Sequence, residues 1–149
     1  MSLQNKVMEK LKEAMRAKDA VALESLRAIK SAILLAQTES GAKQDLTEAE
    51  ELKLLQKLVK QRKDSAALYK EQGRTDLAEP ELAQVAVIEQ FLPEQMNEDE
   101  LKSVIANIIE KTGASSMKDM GKVMSMASKE LAGKADGKAI SNVVKSLLT

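Results

Sequence analysis

The sequence predicts an all-α protein in two parts: a four-helix N-terminal unit built on a helical hairpin (residues 1–92) and a C-terminal three-helix bundle (97–149), with a hinge at 93–96. Three observations predict it. Apolar residues recur at steps of three and four along most of the chain, and no stretch alternates as a half-buried strand does. Aromatic residues make up 1%, Tyr69 and Phe91 alone, so the core is Leu, Ile, Val, Met and Ala, which suits helices. Residues that start and stop helices punctuate the apolar runs. A length of 149 residues buries one good core or two small ones.

The first helix is expected from Ser2 to about Lys18, with Leu3, Val7, Met8, Leu11 and Met15 on one side. Asp19 can cap a second helix reaching about Glu39, with Ala22, Leu26, Ile29, Ile33 and Ala36 in register. Residues 40–46 read as a polar loop containing Gly41. Thr47 and Glu50 form a capping box for a third helix, from Glu48 to about Gln72, with Leu52, Leu55, Val59, Ala66 and Tyr69 inward and Gly73 at its end. A fourth helix opens at Thr75 and carries Leu82, Val85, Ile88 and Phe91; Pro80 inside it implies a late start or a kink. Leu92-Pro93 breaks the pattern, because a residue before proline disfavours helical dihedrals. Asn97 and Glu100 open a fifth helix with Leu101, Val104, Ile105, Ile108 and Ile109, and Gly113 closes it. Ser116, with Asp119 three residues on, starts a sixth helix with Met117, Met120, Met124, Ala127 and Leu131 on one face. Gly133 ends it, and Asp136 caps a seventh with Ile140, Val143, Val144, Leu147 and Leu148.

Composition narrows the chemistry. There is no cysteine and no histidine, so thiolate chemistry, the commonest metal ligand and the usual proton shuttle near neutral pH are missing. Glu98, Asp99 and Glu100 sit where acids favour a helix dipole, and no nucleophile has a partnered base. No catalytic residue, metal or cofactor is expected. The N-terminus does not read as a signal peptide, and the longest apolar run, Ala32–Ala36, is too short to span a membrane, so a cytoplasmic protein is expected.

Net charge is zero but unevenly spread. Residues 52–63 carry Lys53, Lys57, Lys60, Arg62 and Lys63 and no acid. Lys53, Lys57 and Lys60 share one outward face, suited either to solvent or to phosphates. Arg62 falls among the core positions, where a guanidinium needs partners; Glu24, Glu81 and Glu89 are the candidates for an ion pair. From Lys111 onward seven lysines stand against three acids, a net of +4. The corner Gly133-Lys134-Ala135-Asp136-Gly137-Lys138 is not a phosphate loop: three residues rather than four precede its Gly-Lys pair, Ala139 follows, and no strand leads in. Lys122, Lys134, Lys138 and Lys145 are the candidate contacts for an anion, while Gly121, Gly133, Asp136, Gly137, Pro93 and Arg62 are expected to be structural. Met126 falls off the methionine stripe and is expected at the surface.

These residues carry a resemblance. Asp119-Met120-Gly121-Lys122-Val123-Met124 followed by the Gly133–Lys138 corner and a short apolar helix resembles the GatB/YqeY family. Leu26-Arg27-Ala28-Ile29-Lys30, the run 57–65 (KLVKQRKDS), Gly73-Arg74-Thr75-Asp76-Leu77 and Phe91-Leu92-Pro93-Glu94-Gln95 are similar to further segments of it, with Phe91 where the family has Tyr. The family joins stand-alone YqeY-like proteins, which this chain matches in length and start, to the tail domain of the GatB subunit of the glutamine-dependent aspartyl/glutamyl-tRNA amidotransferase. The resemblance implies tRNA as a partner and an association with carbon–nitrogen ligation using glutamine as amido donor; that activity belongs to the complete amidotransferase, whose catalytic cradle has no counterpart here. The first expectation is therefore a noncatalytic tRNA- or RNA-binding module contacting phosphates. Single-strand stacking is disfavoured, because only two aromatic residues are available. The alternative is an adaptor docking a helix face or Met-rich surface onto an aminoacyl-tRNA synthetase or amidotransferase. An amidotransferase-linked enzyme is the weakest reading.

Overall fold

The computed structural model describes residues 2–39 and 45–149, and the expected polar loop lies largely outside them. The fold is all-α: α1 (Leu3–Ala17), α2 (Ala20–Glu39), α3 (Glu48–Glu71), α4 (Thr75–Glu89), α5 (Glu98–Thr112), a 3-10 turn (Met117–Asp119), α6 (Met120–Glu130) and α7 (Gly137–Leu148). The chain divides into two compact units, Met1–Leu92 and Pro93–Thr149.

Helix ends follow from local chemistry. Ser2 accepts Asn5 N–H, Asp19 accepts Ala22 N–H, and Asn97 accepts Glu100 N–H at 2.9 Å. Thr47 and Glu50 complete the reciprocal capping box. α3 closes with Gly73 at φ +73, Arg74 N–H reaching Tyr69 C=O and Gly73 N–H reaching Lys70 C=O. Gly113 (φ +69) ends α5 in the same way. Lys18 does so after α1 at φ +56, which a side chain tolerates less well than glycine. Pro80 does not delay α4, which starts at Thr75; it sits in the second turn, where it forfeits one bond to the carbonyl of Asp76. Before Pro93 the chain tightens through three bonds, Gln90 to Val87, Phe91 to Ile88 and Leu92 to Glu89.

In the first unit α3 packs along α4, α1 along α2, and α2 along α4. Its core is Leu3, Val7, Ala14, Leu26, Ile29, Ile33, Leu55, Val59, Val85 and Ile88. Two expected core residues lie outside: Met15 is 57% exposed and Leu82 is exposed. Successive helix residues turn by about 100°, and both sit on the flank of their stripe, where Ala14 and Val85 take the inward places. Arg62 does point inward on α3, but its partner is not a carboxylate. Its Nε donates to Gln84 Oε1 at 2.8 Å and its Nη1 to the Leu58 carbonyl at 3.2 Å. Glu89 is taken instead by Lys63, at 3.3 Å. At the α3–α4 turn Arg74 holds Asp76 with two hydrogen bonds, which push the Asp76 carboxyl below its ordinary range and the Arg74 guanidinium above its own.

In the second unit each of α5, α6 and α7 packs on the other two. Leu101, Ile105 and Ile108 meet Val123, Ala127 and Leu131 and Ile140, Val143, Val144 and Leu148. Each large aliphatic so buried contributes about 1.5–3 kcal/mol against the entropy of ordering. The α6 stripe is rotated from expectation: Val123 is fully buried, whereas Met117 stands exposed in the 3-10 turn. Leu147 is also exposed, because only Leu148 reaches the core at the end of α7.

Candidate nucleic-acid interface

The second unit places its lysines by helix register. α6 buries Val123 and Ala127, which turns Lys122 outward, about 100° from Val123. α7 buries Ile140, Val143, Val144 and Leu148, which turns Lys138 and Lys145 outward. These two are seven residues apart, two turns, so they share one face about 10.5 Å apart along the axis. α7 carries no acid. Lys134 occupies the corner between the helices and is half-buried.

The corner is a built turn. Gly133 is buried at φ +77, and Lys134 N–H bonds the Leu131 carbonyl at 2.9 Å. Asp136 Oδ1 accepts Ala139 N–H at 2.6 Å and so caps α7. The chain entering the unit is fastened here as well. Gln95 Nε2 donates to the Pro93 carbonyl at 2.9 Å and to the Gly133 carbonyl at 2.7 Å, and Met96 N–H donates to the Lys134 carbonyl at 3.0 Å. Two of the four residues expected to form a hinge, 95 and 96, are thus held by the corner. The bond from Gln95 could not be read from the sequence, because its partner lies 38 residues away. The structural expectation for Gly121 and Gly137 changes. Neither has a positive φ, and a Cβ at either would meet nothing within 4 Å, so the fold does not require glycine there.

Among the described residues, Lys122, Lys134, Lys138 and Lys145 take part in no ion pair. On the first unit Lys53, Lys57 and Lys60 all lie on the outward face of α3. Lys60 is engaged by Asp64 at 3.2 Å, which leaves Lys53 and Lys57 as the open pair. Met126 is exposed on α6. The clefts of the first unit are of a different character. One of about 270 Å³ is lined by Ala14, Ala22, Leu26, Val87 and Phe91 together with Lys10, Glu13 and Asp19. No group of His, Cys, Asp or Glu among the described residues could hold a metal ion, and no described helix is long and apolar enough to cross a membrane.

A family model described as Yqey-like protein matches residues 4–148. "Altered inheritance of mitochondria protein 41, mitochondrial" of Clavispora lusitaniae is 30% identical over 141 residues, covering 93% of this chain and 80% of that protein. The protein of the same name in Meyerozyma guilliermondii is 40% identical over 88 residues, 59% of this chain and 45% of its own length. An uncharacterized protein of Schizosaccharomyces pombe is 32% identical over 93 residues, 62% of this chain and 74% of its own length.

Proposed function

We propose, starting from the fact that this chain belongs to the YqeY-like family, that it is a noncatalytic module that binds folded RNA, with tRNA the first candidate. The observation that carries the reading is the set of unpaired lysines on the second unit, above all Lys138 and Lys145 on one acid-free face of α7. A lysine already paired to a carboxylate must break that pair before it meets a phosphate; these need not. Lysine contacts to phosphates supply sequence-independent affinity and position a nucleic acid without reading its bases. The resemblance of the second unit to the amidotransferase tail supports the same reading, as does the absence of histidine and cysteine. Lys53 and Lys57 on α3 offer a second strip of contact. The relatives' names carry the word mitochondrial, so a mitochondrial setting stands beside the cytoplasmic one inferred from the sequence; fractionation of cells separates the two.

The test is fluorescence anisotropy with bulk folded tRNA across a salt series. Wild type is expected to weaken steeply as salt rises. Lys134→Glu combined with Lys138→Glu is expected to bind about tenfold or more weakly at fixed salt and to flatten the salt slope by about 1 for each phosphate no longer engaged. No binding at low salt sinks the proposal. One observation favours a second reading, an adaptor for a synthetase or amidotransferase: Met117 and Met126 are both exposed, and flexible thioethers suit adaptable protein contacts. Capture of such a partner by wild type, and not by a Met117→Ser, Met126→Ser variant, would support it.

A further inference from the structure

The outward face of α6 holds more than Lys122. Lys118 stands exposed in the 3-10 turn before it, and Lys129 lies seven residues after Lys122, on the same face two turns on. Between these lysines the surface drops to backbone depth at Gly121 and to a hydroxyl at Ser125, both exposed. Neither Lys118 nor Lys129 joins an ion pair among the described residues. The two acids nearby point elsewhere: Asp119 is half-buried and accepts Ser115 N–H at 3.1 Å, and Glu130 lies about 100° round the helix from Lys129. The Ser125 hydroxyl has no partner among the described residues, whereas Ser25 and Thr38 turn theirs back onto the carbonyl four residues earlier.

Gly121 is the unusual member. It stands one residue beyond the 3-10 turn, as the second residue of α6 in a continuous helical stretch, where glycine costs stability relative to alanine. Its φ is not positive and a Cβ would meet nothing, so the fold gains nothing from glycine at this place. What glycine alone provides is room for another backbone to come close.

We propose that this face of α6, with Gly121 and Ser125 set between Lys118, Lys122 and Lys129, is where the sugar-phosphate backbone of a folded RNA seats, and that Gly121 lets it come within contact. The proposal rests on the RNA-binding reading above and deepens it. Three cations with no acid among them match a polyanion. A free serine hydroxyl can donate to a phosphate oxygen or a ribose hydroxyl.

Wild type is compared with Gly121→Leu, Gly121→Ala and, as a control of equal bulk on an exposed position of α5, Asn107→Leu, by folded-tRNA anisotropy and thermal melting. None of these changes alters the charge. Gly121→Ala is expected to raise the melting temperature by about 2–4 °C. Gly121→Leu is expected to weaken RNA binding about tenfold or more and to flatten the salt slope, because the lysines are held off the phosphates. Asn107→Leu is expected to bind as wild type does. If wild type binds RNA and Gly121→Leu, melting no lower, binds equally well, the close-contact proposal is overturned while RNA binding stands. If wild type does not bind, both fall. Should Gly121→Leu melt early, Gly121→Ala decides: better folding with at least a twofold loss of affinity supports the proposal, and better folding with unchanged affinity overturns it.

Discussion

Arg62 shows how a charge can be housed at the edge of a core without an opposite charge. Its guanidinium gives one hydrogen bond to the Gln84 amide and one to a carbonyl of its own helix, and Gln84 is itself only 8% exposed. An amide spares the fold the cost of desolvating a second ion. The dependence then runs in one direction. Gln84→Leu leaves the guanidinium short of an acceptor and is expected to destabilise the first unit by about 1–2 kcal/mol in denaturant unfolding. Adding Arg62→Leu is expected to recover most of that loss, because both polar partners are then gone. Equal and additive losses from the two changes would show that they do not depend on each other. Helical periodicity was enough to place Arg62 inward. It could not name Gln84, because a pairing across 22 residues depends on how two helices settle against each other.

Helices were legible where their signals are local. The caps at Asp19, Thr47, Asn97 and Asp136 each act over three residues, and each forms. Asp136→Ala is expected to cost about 1 kcal/mol in the second unit, with loss of amide protection at the start of α7, while Asp136→Ser recovers most of it. No change in either variant would mean that α7 is held by packing alone. Faces were less legible than caps. Met15, Leu82 and Leu147 belong to apolar patterns yet stand exposed, since periodicity defines a direction but not how far the neighbouring helix extends. Val123 is the converse case, a core residue of α6 hidden behind a run of methionines. The candidate site divides the same way. Spacing of seven puts Lys122 with Lys129 and Lys138 with Lys145, but spacing says nothing about which acids stand near each pair or how open the ground around it is.

Across the whole molecule two separate cores stand in one chain, and charge is divided unevenly within the second. Residues 93–110 hold five acids and one lysine, a net of −4, against the +4 of the stretch that follows. Ile105, fully buried at the centre of the second core, tests whether the cores stand alone. Ile105→Ala is expected to cost about 2–5 kcal/mol and to speed amide exchange throughout α5, α6 and α7, leaving exchange in α1–α4 as in wild type. Faster exchange in α1–α4 would show one cooperative body instead. The bonds from Gln95 and Met96 to the Gly133–Lys134 corner bear on where the second unit can be cut or joined. Starting a fragment at Asn97, where α5 is capped, leaves the Gly133 and Lys134 carbonyls without these donors. Starting it at Pro93 carries the latch along. Four residues ahead of the first helix are then as much a part of the portable piece as the helices are, and a foreign chain spliced on at Pro93 would inherit a corner already locked.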